Sequence, residues 1–182
     1  ISSSGNDLLA LINDILDLSK IEAGKVDLVA EPVLVANMVD SLVKTFQPVA
    51  RKKGLDFSAT LDPGTPPRII TDGQRMGQIL KNLLSNALKF TDQGQVSLRV
   101  GAGDAGTLSF AVSDSGIGIA QHQQDIIFEA FRQADGSTHR KYGGTGLGLS
   151  ISRALAHLLG GGIAVQSTAG QGSVFTLTLP QT

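Results

Sequence analysis

NLLSNALKF, residues 82–90, reads as the end of a helix whose faces differ sharply in character. Leu80, Leu83, Leu84, Ala87 and Leu88 recur at helical spacing and form a broad apolar face made to lie on a sheet. Asn82, Asn86 and Lys89 follow one another at the same spacing on the remaining face. An exposed Asn is usually just solvated. Two amides and an ammonium in line, on a helix otherwise this apolar, make a candidate site. An amide oxygen is a competent ligand for Mg²⁺, which takes much of its shell from water and phosphates. A lysine can act as a point charge on a phosphate.

Three further motifs follow in order. DSGIG (residues 114–118) places Asp114 at the end of an expected strand, with Gly116, Gly118 and Ile119 after it. Small residues there let the backbone turn and approach a flat ligand. A carboxylate at the strand end can accept a hydrogen bond from an exocyclic base amine, which is worth roughly 1.5–3 kcal/mol. GGTGLGL (residues 143–149) opens another helix, where backbone N–H groups and the helix dipole form an anion site. It is not a Walker loop, because no Lys-Ser or Lys-Thr pair follows the glycines, and it lacks the context of a Rossmann fingerprint. GQGS (residues 170–173) lies between the last two strands. Alone, one glycine motif is weak evidence, and DSGIG by itself reads as a strand-ending turn. Together they point to one adenine-nucleotide pocket.

Around the motifs, apolar residues at helical spacing predict a helix over about 6–23 and stopping at Gly24. Its stripe is wide enough to need a partner. That partner is either its own domain or a second helix of a hairpin or dimer bundle. Residues 26–31 are a strand or a linker. Pro32 suits the first turn of a helix running to Lys53 and capped by Gly54, with Pro48 bending or dividing it. Strands are expected around Leu55–Ala59 and at 68–71. Thr71 is expected to cap the next helix through Gln74, as in a capping box. Residues 96–100 and 108–112 alternate as an antiparallel hairpin, 163–167 and 174–179 as a final strand pair, with a helix over 145–159 before them. The long polar stretch 120–143 has the character of a functional loop. The sum is a layer of helices on one mixed sheet, preceded by a lone helix.

Composition narrows the classes. The chain has 182 residues, 41% hydrophobic and 17% charged, which suits a globular domain with a sizeable core. A net charge of −1 gives no electrostatic reason to expect nucleic acid. Having no cysteine excludes disulfides and thiolate sites. No apolar run is long enough to span a bilayer, so no direct membrane contact is expected. Beginning at Ile1 rather than Met, the chain is read as a piece of a longer protein.

The four motifs in this order resemble the ATP-binding domain of sensor histidine kinases, within the superfamily shared with gyrase-type ATPases, Hsp90-type chaperones and mismatch-repair ATPases. IIFEAF (residues 126–131) looks like that family's phenylalanine box. NDLLALINDILDLSKIEAGK (residues 6–25) resembles the second helix of the dimerisation and phosphotransfer hairpin of hybrid kinases. The resemblance implies a Bergerat-type α+β two-layer sandwich: a mixed, mostly antiparallel sheet of about five strands, covered on one face by about three helices. It divides the chain at residues 1–25 and 26–182.

The resemblance also implies roles. Asn86 is the Mg²⁺ ligand. Asp114 binds the adenine amine, Gly116 and Gly118 shape the base pocket, and Phe90 lies against the base. Lys89 approaches the phosphates, which Gly144, Gly146 and Gly148 hold. Ile119, Phe131, Thr145, Leu147, Leu149 and Ser173 complete the nucleotide set. Residues 120–143 form a lid, with Arg132, Arg140 or Lys141 as the cation for the γ-phosphate. ATPases of this superfamily carry a Glu where this chain has Asn82. An amide is a poor general base, so bound ATP should await a histidine nucleophile. His122, His139 and His157 do not match the acceptor position. The hairpin bearing the acceptor, a response regulator or receiver domain, homodimerisation and a cytoplasmic setting are all expected of the longer protein. A superfamily ATPase and a non-catalytic nucleotide sensor are the competing readings.

Overall fold

The computed structural model describes residues 2–124, 126–129 and 148–181. Arg132, Arg140, Lys141, Phe131, Gly144, Thr145, Gly146 and Leu147 lie outside them, as do His139 and most of the expected lid.

The core is a five-stranded sheet in the order β2 (Asp56–Leu61), β4 (Gln95–Ala102), β5 (Thr107–Asp114), β7 (Gly172–Pro180), β6 (Gly162–Thr168). β2 runs parallel to β4, and every other neighbour pair is antiparallel. Alternation along the strands sends Val96, Leu98 and Val100, then Leu108, Phe110 and Val112, then Leu177 and Leu179, to one buried face. Three helices cover that face: α2 (Val35–Lys53), α3 (Gly73–Lys89) and α4 (Gly148–Leu158). α3 lies against β4, β5 and α4, with Ile79, Leu80 and Leu84 wholly buried. The two-layer mixed sheet expected from the sequence is therefore present.

A small antiparallel ribbon stands beside the sheet. β1 (Glu31–Leu34) pairs with β3 (Arg68–Thr71), placing Pro32 opposite Ile70. This corrects the expectation that Pro32 opens a helix. An edge strand tolerates a residue without an N–H, and the helix starts three residues later, at Val35. Pro48 does not divide α2, which runs unbroken past it to Gly54, where the left-handed cap returns its N–H to Ala50 and Arg51. Pro48 is on the exposed face, where a carbonyl left without its helical partner meets water.

The cap of α3 is also corrected. Thr71 is the last residue of β3, buried and paired across the ribbon with Glu31. Asp72 is the cap. Its Oδ1 accepts the Arg75 N–H at 3.1 Å, and its Oδ2 accepts the Val29 N–H at 3.0 Å. One carboxylate thus starts the helix and ties down the segment before β1.

α1 (Ser2–Glu22) carries its apolar stripe in two parts, one docked and one exposed. Leu11, Leu18 and Ile21 pack against the core, and Asp17 accepts a hydrogen bond from Gln78 of α3 at 3.2 Å. Leu8, Leu9, Ile12, Ile15 and Leu16 remain exposed, Leu8 by 58%. No described helix is long and apolar enough to cross a membrane.

Asp72→Ala should lower the unfolding free energy by about 1–2 kcal/mol in urea titration, the usual cost of losing a helix cap. Thr71→Val, which keeps the strand and has no cap to lose, should cost clearly less. The reverse ranking would return the cap to Thr71.

Candidate functional site

The sheet ends where β5 runs out at Asp114, and three of the four motifs meet there. Phe90 follows the last turn of α3. Its carbonyl accepts the Ile117 N–H at 3.4 Å, so the end of α3 holds the loop after β5. A side chain at Gly116 would strike that same carbonyl, and one at Gly118 would strike the carbonyl of Thr168. Gly118 also has φ +69°, a backbone setting that costs only glycine nothing. The backbone of DSGIG is therefore wedged between α3 and the β6–β7 turn. From that turn, the Gly170 N–H donates to Ile117 at 2.7 Å.

Asp114 faces this junction. Burial pushes its carboxyl above its ordinary value, while the backbone N–H groups of Gly116 and Ser173 oppose the rise by favouring the ionised form. The Gly116 contact is 2.9 Å. Beside it, the Lys89 ammonium stands over the Phe90 ring, 5.8 Å from its centre. Lys53, at the end of α2, donates to the Leu88 and Lys89 carbonyls, neutralising the negative end of α3.

The fourth motif contributes Gly148 and Leu149 to the described residues. Gly148 crosses α3 so closely that a Cβ there would sit 2.6 Å from Asn82 Oδ1. One turn on, the buried Ser152 Oγ accepts the Asn82 Nδ2 hydrogen at 2.9 Å. Asn82 thus joins α3 to α4. Asn86 is partly buried one turn further along α3, toward Lys89. The described parts of the four motifs, scattered in sequence, lie along α3 from Asn82 to its C-terminal end.

The first Phe of the IIFEAF segment is anchored. Phe128 meets Phe175 of β7 edge-to-face, centroids 6.3 Å apart, and the Arg153 guanidinium of α4 lies 5.0 Å from its ring centre.

Three contributors were not singled out from the sequence: Ser152, Ser167 and Lys53. Ser167 Oγ on β6 accepts the Ile119 N–H at 2.7 Å, and lies 2.9 Å from the Gly172 carbonyl and 2.7 Å from Ser173 Oγ. A lone serine or terminal lysine has no distinguishing spacing. Only the strand register could have flagged Ser167, since it stands directly opposite Ser173.

Fold and site together define an ATP-binding domain. Residues 71–182 match the family described as histidine kinase-, DNA gyrase B- and HSP90-like ATPases, and the chain belongs to that family. Its ATP-binding, catalytic domain is of the sensor histidine kinase type. Over 99% of its length it is 45% identical to hybrid signal transduction histidine kinase B of Dictyostelium discoideum. Over its whole length it is 46% identical to the circadian input-output histidine kinase CikA of Synechococcus elongatus. It spans 9% and 24% of those two curated relatives. Among solved structures, full-length ShkA in complex with AMPPNP superposes on 98% of the chain, with TM-score 0.88 and 35% identity, the chain spanning 36% of it.

Because the folded Asp114 holds its proton more tightly than the unfolded chain does, its contribution favours folding at low pH. That contribution is lost as pH rises past the ordinary carboxyl value and through the raised one. Comparing wild type with Asp114→Asn by urea melts across this range should show the difference in stability moving toward the variant as pH rises. A difference that is flat, or moves the other way, contradicts the burial of this carboxylate.

Proposed function

We propose that the chain binds Mg²⁺–ATP and presents its γ-phosphate to a histidine side chain carried by a helix outside it, as the catalytic part of a two-component sensor kinase. The observation that carries this reading is the Asn82 amide. It occupies the turn before Asn86, where hydrolysis would need a base, and its NH₂ is already committed to Ser152. Water at the γ-phosphate has no carboxylate there to activate it. A histidine nitrogen needs none: it attacks phosphorus as the bond to the β,γ-bridging oxygen breaks, and ADP leaves.

The pocket around Asp114 takes the adenine. The partly buried carboxylate accepts from the exocyclic amine, Phe90 lines the base, and Lys89 reaches toward the phosphates. Among the described residues no cluster of three His, Cys, Asp or Glu could hold a metal unaided. The donor set fits Mg²⁺ shared between the Asn86 amide oxygen and phosphate oxygens, where the ion would neutralise charge developing on the triphosphate. Arg132, Arg140 and Lys141 are the cations of the segment proposed to cover the nucleotide.

The longer protein is proposed to divide near residue 25, with α1 as the second helix of the dimerisation hairpin. The exposed row Leu8, Leu9, Ile12, Ile15 and Leu16 supports this, since an apolar stripe beside a docked one suits a helix bundle. A homodimer, a phosphoacceptor histidine on the missing hairpin helix, a response regulator or receiver domain as onward acceptor, and a cytoplasmic setting follow from the same reading. In one neighbour of this fold, ThkA was solved in complex with the response regulator TrrA.

With γ-labelled ATP and Mg²⁺, a separately prepared hairpin carrying the acceptor histidine should gain label, while the chain alone releases phosphate only slowly. Rapid release over many turnovers without the hairpin would mean a true ATPase and overturn the kinase reading. Asn86→Ala should weaken ATP binding in the presence of Mg²⁺ about tenfold or more by calorimetry, a loss in the range of a charge-assisted contact. Metal-free binding should change little. Equal losses in both conditions would remove Asn86 from the metal site.

A further inference from the structure

A row of polar residues crosses the end of the sheet. Asp114 on β5 stands directly opposite Ser173 on β7, and Ser173 directly opposite Ser167 on β6. Residues paired this way point to the same face, and here it is the face that carries the core. The next row inward is apolar: Val112, Phe175 and Val165. The polar row therefore closes the core at the site, and Ser173 is buried in it.

Hydrogen counting fixes the direction of the bonds in this row. Ser167 Oγ has three neighbours: the Ile119 N–H at 2.7 Å, the Gly172 carbonyl at 2.9 Å and Ser173 Oγ at 2.7 Å. The amide can only donate and the carbonyl can only accept. Ser167 carries one hydrogen, which goes to Gly172. The Ser173 hydroxyl must then give its own hydrogen to Ser167 for all three contacts to be satisfied. What Ser173 has left to offer a ligand is lone pairs. Gln124 holds the arrangement from outside, its amide donating to the Ile119 and Ser167 carbonyls at 3.1 and 3.0 Å.

We infer that Ser167 is a positioning residue that orients the Ser173 hydroxyl as an acceptor, so that the pocket selects a 6-amino purine over a 6-oxo purine. The inference rests on the reading of Asp114 as the acceptor for the base. With Ser167 in place, Asp114 and Ser173 present only acceptors, which match the two hydrogens of an adenine amine and repel a carbonyl oxygen. Without it, the Ser173 hydroxyl is free to turn and donate to that oxygen. Ser167 does not touch the base; it acts through Ser173.

ATP and inosine triphosphate differ only at this edge of the ring, so their affinities for the purified chain give the test by calorimetry. Wild type should prefer ATP. Ser167→Ala should reduce the preference roughly three- to tenfold, the value of one neutral hydrogen bond, with inosine triphosphate gaining as ATP loses. Ser167→Thr, which restores the hydroxyl on a strand residue, should return the preference to the wild-type value. Ser173→Ala should remove the effect of Ser167→Ala in the double variant, which also serves if the single Ser167 variant folds poorly. Equal weakening of both nucleotides in Ser167→Ala, or an unchanged ratio, would reduce Ser167 to a structural prop and overturn the inference. A wild type that binds ATP and inosine triphosphate alike would instead strike at the reading of Asp114 itself.

Discussion

The rotation of α3 about its own axis is the constraint on which everything else depends. Met76, Ile79, Leu80, Leu83, Leu84, Ala87 and Leu88 are all at most 5% exposed. Each large side chain among them is worth about 1.5–3 kcal/mol in burial, against about 1 kcal/mol net for a typical polar contact. The core therefore decides which way the helix faces, and Asn82, Asn86 and Lys89 go where the remaining stripe points. That stripe opens toward Asp114 and the start of α4. The candidate site edge follows from packing on the sheet, and Lys53 holds the same end of α3 through the Leu88 and Lys89 carbonyls.

The carboxylate at the end of β5 is in tension with that core. Burial favours its neutral form, while the Gly116 and Ser173 N–H groups favour its charge. The close approach of DSGIG to the Phe90 and Thr168 carbonyls leaves the acid little freedom to escape.

Periodicity made most of the fold readable. The apolar face of α3, the β4–β5 hairpin, the final strand pair and Gly54 all fell where spacing put them, because each depends on local chemistry repeated several times. Pro32 was misread because an edge strand and a helix start tolerate the same missing N–H. Thr71 and Asp72 are adjacent residues of capping type, and only the ribbon with Glu31, a contact across forty residues, decided between them. The candidate site residues stand out in the sequence as motifs, each several residues long. Ser152 and Ser167 do not, since each acts through one partner brought to it by another helix or strand, and a single serine carries no pattern. The first helix was legible as amphipathic, but how much of its stripe the body would cover depended on the shape of α3 and α4.

The pairing of β2 with β4 has a consequence for how the chain reaches this state. These two strands run parallel, with β3 and α3 between them in sequence, whereas β4 and β5 join through a tight turn. Loop closure over a segment that long is entropically unfavourable until the intervening helix is seated. The hairpin is thus the natural nucleus and β2 a late arrival, added at the sheet's edge only once α3 lies flat. During synthesis β2 emerges after α2, the helix that packs on it, but before β4, its one strand neighbour in the sheet, so its edge hydrogen bonds wait for a strand made later.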